Sequence, residues 1–153
     1  MDDVTPAAPL DPVYAAALGA AVYGFASLEW AAVRGCEALQ PGSMEDLSER
    51  TAGRVGDMLV SLAGNLPPSD RQAGLLDAAR DFRALVATRN NLVHSRPDLA
   101  PDGSPALFRH GDPWMIAELQ QVTELFAVCE KRIAQAFPVQ ADFATLPPSI
   151  LPT

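Results

Sequence analysis

SDRQAGLLDAARDFRALVATRNNLVHSRP, Ser69 to Pro97, has no proline between its first and last residues. Leu75, Ala79, Phe82, Val86, Arg89 and Val93 recur in it at steps of three and four. That spacing lines them up along one side of an α-helix. Ser69 suits the N-cap, because its hydroxyl can accept from an unpaired N–H of the first turn. Pro97 disfavours a helical residue before it, so the helix is predicted to end near Ser95 or Arg96. Arg89 is out of character in this stripe, a cation where apolar side chains are expected.

The rest of the chain reads the same way. Its fourteen prolines leave four proline-free windows, 13–40, 42–66, 69–96 and 114–137. Proline is excluded from helix interiors, so each window is a helix candidate. In the first, Tyr14, Leu18, Val22, Phe25, Glu29, Ala32, Cys36 and Leu39 form a stripe behind Asp11-Pro12. In the second, Met44, Leu47, Thr51, Val55, Met58, Leu62 and Leu66 do so, and Ser43 with Asp46 approximates a capping box. In the fourth, Met115, Leu119, Val122, Phe126, Cys129, Ile133 and Phe137 follow Asp112 as N-cap and Pro113 as first helical residue. The prediction is an all-α four-helix bundle. A long loop, 97–113, joins its third and fourth helices, and Ala106 to Arg109 is the only strand-like piece in it. Residues 1–10 form an N-terminal extension, 11–137 a single domain, and 138–153 an extended, proline-rich C-terminal arm.

Composition bounds the class. At 153 residues and 48% apolar, the chain suits one globular domain. Its net charge of −8 repels nucleic acid unless positive charge is concentrated locally. Such a concentration exists, since residues 71–110 carry six Arg against four Asp. Cys36 and Cys129 make no disulfide framework and read as buried thiols. The acidic start, Met1-Asp2-Asp3, lacks the basic region of a secretory signal, so a cytoplasmic location is expected. Residues 13–33 hold one charge, Glu29, but Ala and Gly dominate there. A buried helix is expected rather than a membrane span.

Glu29 and Arg89 each interrupt an apolar stripe. A buried charge is costly unless it is paired, so one reading is a structural salt bridge between them, with Arg83 a competing partner for Glu29. In the other, Arg89 points into a cleft and meets an anion. The two are compatible, because Glu29 could orient Arg89. His94, near the helix C-terminus, is either a cation placed against the helix dipole or a proton-transfer group. Arg89 and His94 are five residues apart, roughly 140° around a helix, and flank a groove, with Asn90 on the side of His94.

Arg89-Asn90-Asn91-Leu92-Val93-His94, closing the third of four helices, resembles the HEPN superfamily (higher eukaryotes and prokaryotes nucleotide-binding). Its hallmark is Arg, then a polar residue, with His four to six positions after the Arg. The resemblance covers residues 11–137 as architecture and six residues as motif. It implies a metal-independent endoribonuclease of a kind found in toxin–antitoxin, defence and stress systems. Such proteins act as homodimers whose motifs face across one cleft, often under an antitoxin or regulatory protein. Arg89 would bind the scissile phosphate of RNA, and His94 would move the proton in attack by the ribose 2′-hydroxyl. Asn90 would position either group, and no cofactor or metal is implied. Arg96, Arg109 and His110, in the basic stretch, are further candidates for contact with the RNA backbone. The alternative is a non-catalytic helical binding or regulatory module, HEPN-like or unrelated, in which Arg89 pairs with Glu29 and His94 caps a helix. His94 and His110 are the only histidines, and neither cysteine has ligand spacing, so no metal site is expected. Gly53 and Gly56 read as packing or weak points within a helix. Trp30 and Trp114 are expected as core or interface anchors.

Overall fold

A computed structural model describes residues 8–138 of the chain. The chain is mostly helical. The first helix, α1 (Pro12–Leu39), is capped by Asp11, whose Oδ1 accepts from the N–H groups of Val13 (2.8 Å) and Tyr14 (3.3 Å). Gly42, with φ of +92°, turns the chain after it.

The second window is two helices, not one. α2 (Ser43–Leu47) stops after a single turn and α3 (Ala52–Gly64) starts afresh. Thr51, read from the sequence as a member of the apolar stripe, is instead the N-cap of α3. Its hydroxyl accepts from the Arg54 N–H at 3.4 Å. The stripe survives the break because Leu47 and Val55 still reach the core. Next comes α4 (Asp70–Val93), capped by Ser69 as expected through a 3.0 Å bond from the Gln72 N–H. It ends slightly earlier than predicted, with His94 as its C-cap.

The connection after α4 is ordered rather than a loop. β1 (Arg96–Leu99), β2 (Pro105–Arg109) and β3 (Asp112–Pro113) form an antiparallel sheet in that order. Asp112 and Pro113 therefore end a strand instead of opening a helix. The last helix, α5 (Ile116–Gln135), begins behind Met115, whose N–H donates to Glu118 at 2.9 Å. Ala106 to Arg109, the strand-like piece, lies in β2, whereas β1 and β3 escaped sequence reading because they are short and the turns provide the order. Gly103 (φ +84°) closes the first hairpin, with its N–H on the Ala100 carbonyl at 2.8 Å. His110 (φ +54°) and Gly111 (φ +91°) are both left-handed and form the two-residue turn of the second. The ladder bonds between β1 and β2 fall at Arg96, Asp98 and Ala100, so Pro97 and Leu99 face the open edge. Pro97 has no N–H, and that of Leu99 is held at 2.9 Å by the carboxylate of Asp98. The edge thus offers no free donor to another strand.

One core draws on α1, α3, α4 and α5, including Leu28, Val55, Leu59, Phe82, Phe126 and Ile133, all essentially solvent-free. Phe25 sits at its centre, edge-on to Phe126 at 5.2 Å and stacked on Phe82 at 6.0 Å. Such aromatic pairs add about 1 kcal/mol each beyond burial. Gly56 of α3 faces Arg83 of α4, where a Cβ would lie in ordinary van der Waals contact, 3.5 Å from the Arg83 Cα. A second cluster, with Tyr14, Ala17, Leu92, Ala106 and Leu119, seats the sheet on the ends of α1, α4 and α5. α1 has the length and composition of a membrane span, yet Ala21, Phe25, Leu28, Ala32 and Cys36 on it are buried within this protein. Apart from Pro138, the predicted C-terminal arm lies outside the described residues, as do residues 1–7 of the N-terminal extension.

Candidate functional site at the end of helix α4

α4 brings Arg89, Asn90 and His94 to one open cleft of about 540 Å³. Val86 continues this wall, Glu29 of α1 faces it, and Arg50 to Gly53 close it at the junction of α2 and α3. Arg89 and Asn90 are half-buried, while His94 is exposed. His94 lies just past the last helical residue of α4, with φ of −98° and ψ of 13°, so the angular separation of an ideal helix does not apply to it.

Arg89 is held by packing rather than by a carboxylate. Its guanidinium carbon lies 4.8 Å from the ring centroid of Phe25, a cation–π contact. Its Nε is buried without a hydrogen-bond partner. Glu29 and Arg89 share the cleft but form no ion pair, so the closed bridge expected from the sequence is open. Burial raises the Glu29 carboxyl above its ordinary value, and the Arg89 charge only partly offsets this. Arg83, the competing candidate, reaches Asp57 instead, at 3.4 Å. The guanidinium is therefore desolvated along one side and held in no ion pair among the described residues, which suits it to an incoming anion.

His94 is fixed through its backbone. Its N–H donates to the Asn90 carbonyl at 3.0 Å, and its own carbonyl accepts from Arg109 Nη1 at 3.1 Å. Arg109 thus lies behind His94 rather than in the cleft, and its Nε is buried without a partner. Arg96, exposed on β1, and His110, at the β2–β3 turn, do not line the cleft either. A second arginine lining the cleft is Arg50, in the break between α2 and α3, whose guanidinium is paired with Asp46 at 2.7 Å. Sequence reading missed it by running one helix across that break. Thr51 with its helix-capping spacing was the signal. Because α3 starts at the cleft, its positive dipole end adds to the charge of Arg89.

Other reactive groups are withdrawn. Cys36 and Cys129 are buried, and burial pushes both thiols up to about 11, away from nucleophilic use. Trp30 is on the outer surface of α1, 43% exposed, whereas half-buried Trp114 donates to Ser95 Oγ at 3.0 Å. Among the described residues, no three His, Cys, Asp or Glu side chains gather as a metal site. Comparisons with protein-family models, curated proteins and solved structures find no match to this chain.

Proposed function

We propose that this protein is a metal-independent endoribonuclease of HEPN type, with α1, α3, α4 and α5 as its four-helix bundle. The observation that carries the reading is the convergence of Arg89, Asn90 and His94 on one open cleft, with Arg89 in no ion pair among the described residues. In this reading an RNA phosphate seats on the Arg89 guanidinium, assisted by the positive end of α3. His94 takes the proton of the ribose 2′-hydroxyl, or supplies one to the leaving oxygen. The 2′-oxygen bonds to phosphorus, the bond to the 5′-oxygen breaks, and a cyclic phosphate and a 5′-hydroxyl result. The nucleophile belongs to the RNA. Arg89 stabilises the charge that develops on the phosphate oxygens, the effect that usually contributes most to such rates. Asn90, whose carbonyl holds the His94 N–H, orients the imidazole.

The test is incubation of purified protein with RNA in chelator. Fragments ending in cyclic phosphate are expected, and Arg89→Ala or His94→Ala should lower their rate by at least about 100-fold. Circular dichroism and thermal midpoint should be retained in His94→Ala, whose side chain is exposed. Intact RNA at high protein concentration, or equal cleavage by His94→Ala, would sink the proposal.

The packing of Arg89 on Phe25 favours a second reading, a non-catalytic binding module in which the arginine extends the core. Retention of RNA without cleavage, or no engagement of RNA, would support it.

A further inference from the structure

The sheet β1–β3 is an insertion between two helices, and two of its side chains end on the last turn of α4. Arg109, the final residue of β2, donates from Nη1 to the His94 carbonyl at 3.1 Å. Trp114, just after β3, donates from Nε1 to Ser95 Oγ at 3.0 Å, and that hydroxyl in turn donates to the Asn91 carbonyl at 2.7 Å. The carbonyls at a helix C-terminus have no partners within the helix. Here the carbonyl of His94 is satisfied by Arg109 of the sheet, and that of Asn91 by the Ser95 hydroxyl on which Trp114 rests. A guanidinium there also meets the negative end of the dipole. The sheet is itself anchored. The Tyr14 hydroxyl of α1 accepts from the Leu107 N–H and donates to the Trp114 carbonyl, each at 2.9 Å. The tight His110–Gly111 turn then sets where Arg109 leaves the strand.

We propose that Arg109 is a positioning residue for His94 rather than a ligand for RNA, with Trp114 as its companion clamp. This rests on the proposed nuclease reading. His94 is a C-cap, beyond the last residue of regular helix, so its imidazole would fray with the terminus unless something outside the helix held it. Arg109 bonds the backbone of the residue whose side chain lines the cleft, and does so from outside the cleft lining. Small displacements of a proton-transfer group are costly in rate, up to about 100-fold for 1 Å.

The experiment compares full-length wild type, Arg109→Gln, Arg109→Lys and Trp114→Phe in two independent measurements. The first is amide hydrogen exchange at His94 and Ser95, whose N–H groups bond to Asn90 and Leu92. Exchange there is expected to accelerate at least about tenfold in Arg109→Gln and in Trp114→Phe, with the centre of α4 unchanged. The second is RNA cleavage, where kcat should fall about 10- to 100-fold with KM within about twofold, and Arg109→Lys should recover part of the loss. A rise in KM at constant kcat would make Arg109 an RNA contact and overturn the proposal. Unchanged exchange in both clamp variants would also overturn it. If wild type cleaves no RNA while the clamp variants exchange faster, the nuclease reading has failed and the clamp stands. Trp114→Phe removes the indole N–H while keeping an aromatic ring, so it serves if Arg109→Gln does not fold.

Discussion

Glu29 and Glu37 stand eight residues apart on α1 and respond to pH in opposite directions. Glu37 accepts from the Gly42 and Met44 N–H groups at 2.9 and 2.8 Å, bonds that hold its carboxyl below the ordinary value of 4.5. Its contribution to stability is present above that value and is lost as the pH falls through the lowered one. Glu29 is raised above 4.5, chiefly by burial. The folded state then binds more protons than the unfolded one, so stability is lost as the pH rises from 4.5 through the raised value. Glu29→Gln should flatten that decline and stabilise the protein at neutral pH. Glu37→Gln should flatten only the acid side. Denaturation midpoints measured from about pH 3 to pH 8 check both, and an unchanged neutral arm in Glu29→Gln would mean that the carboxylate is not strained in its cleft.

Among the elements, the sheet depends most on one side chain. Tyr14 is buried in the first turn of α1, and its hydroxyl sits between two backbone groups, the Leu107 N–H and the Trp114 carbonyl. Tyr14→Phe leaves both without that partner in a part-buried place. A loss of about 2 kcal/mol in denaturant unfolding is expected, with an unchanged denaturant slope. Cleavage should fall with it if the clamp on His94 is transmitted through the sheet. A loss below about 0.5 kcal/mol would show that the two backbone groups find each other directly. The helices are sturdier, since α1, α3, α4 and α5 share one aromatic-centred core.

For the whole molecule, the outer side of α1 is the surface in need of explanation. Ala15, Gly19, Val22, Tyr23, Ala26 and Trp30 are exposed there and carry no charge. Val22 precedes Glu29 by seven residues, so it lies within about 20° of it around the helix. This apolar face therefore borders the cleft, and a homodimer of the kind the HEPN resemblance implies would close there. Tyr23→Glu combined with Trp30→Glu should yield monomers by sedimentation while the helical signal is kept. A wild type that is monomeric at high concentration would remove the dimer from the reading. With a net charge of −8, any RNA contact must be local, so RNA affinity should fall steeply with added salt.

The sequence by itself determined the helical class, the four long apolar stripes and the residues of the Arg89–His94 segment. Proline exclusion and a 3.6-residue period are local constraints, readable without knowing what packs on what. It also flagged Glu29 and Arg89 as charges in apolar company. Only the tertiary structure decided how those charges are accommodated, with Arg89 on the ring of Phe25 and the expected ion pair open. It alone turned residues 96–113 into a sheet, because strands this short are held by turns and by the Tyr14 hydroxyl from a distant helix. Long-range contacts also moved Arg109 behind His94, while the break between α2 and α3 brought Arg50 to the cleft wall. Hydrogen bonds between residues far apart in the chain leave no period in the sequence, so where those side chains end up is decided by folding.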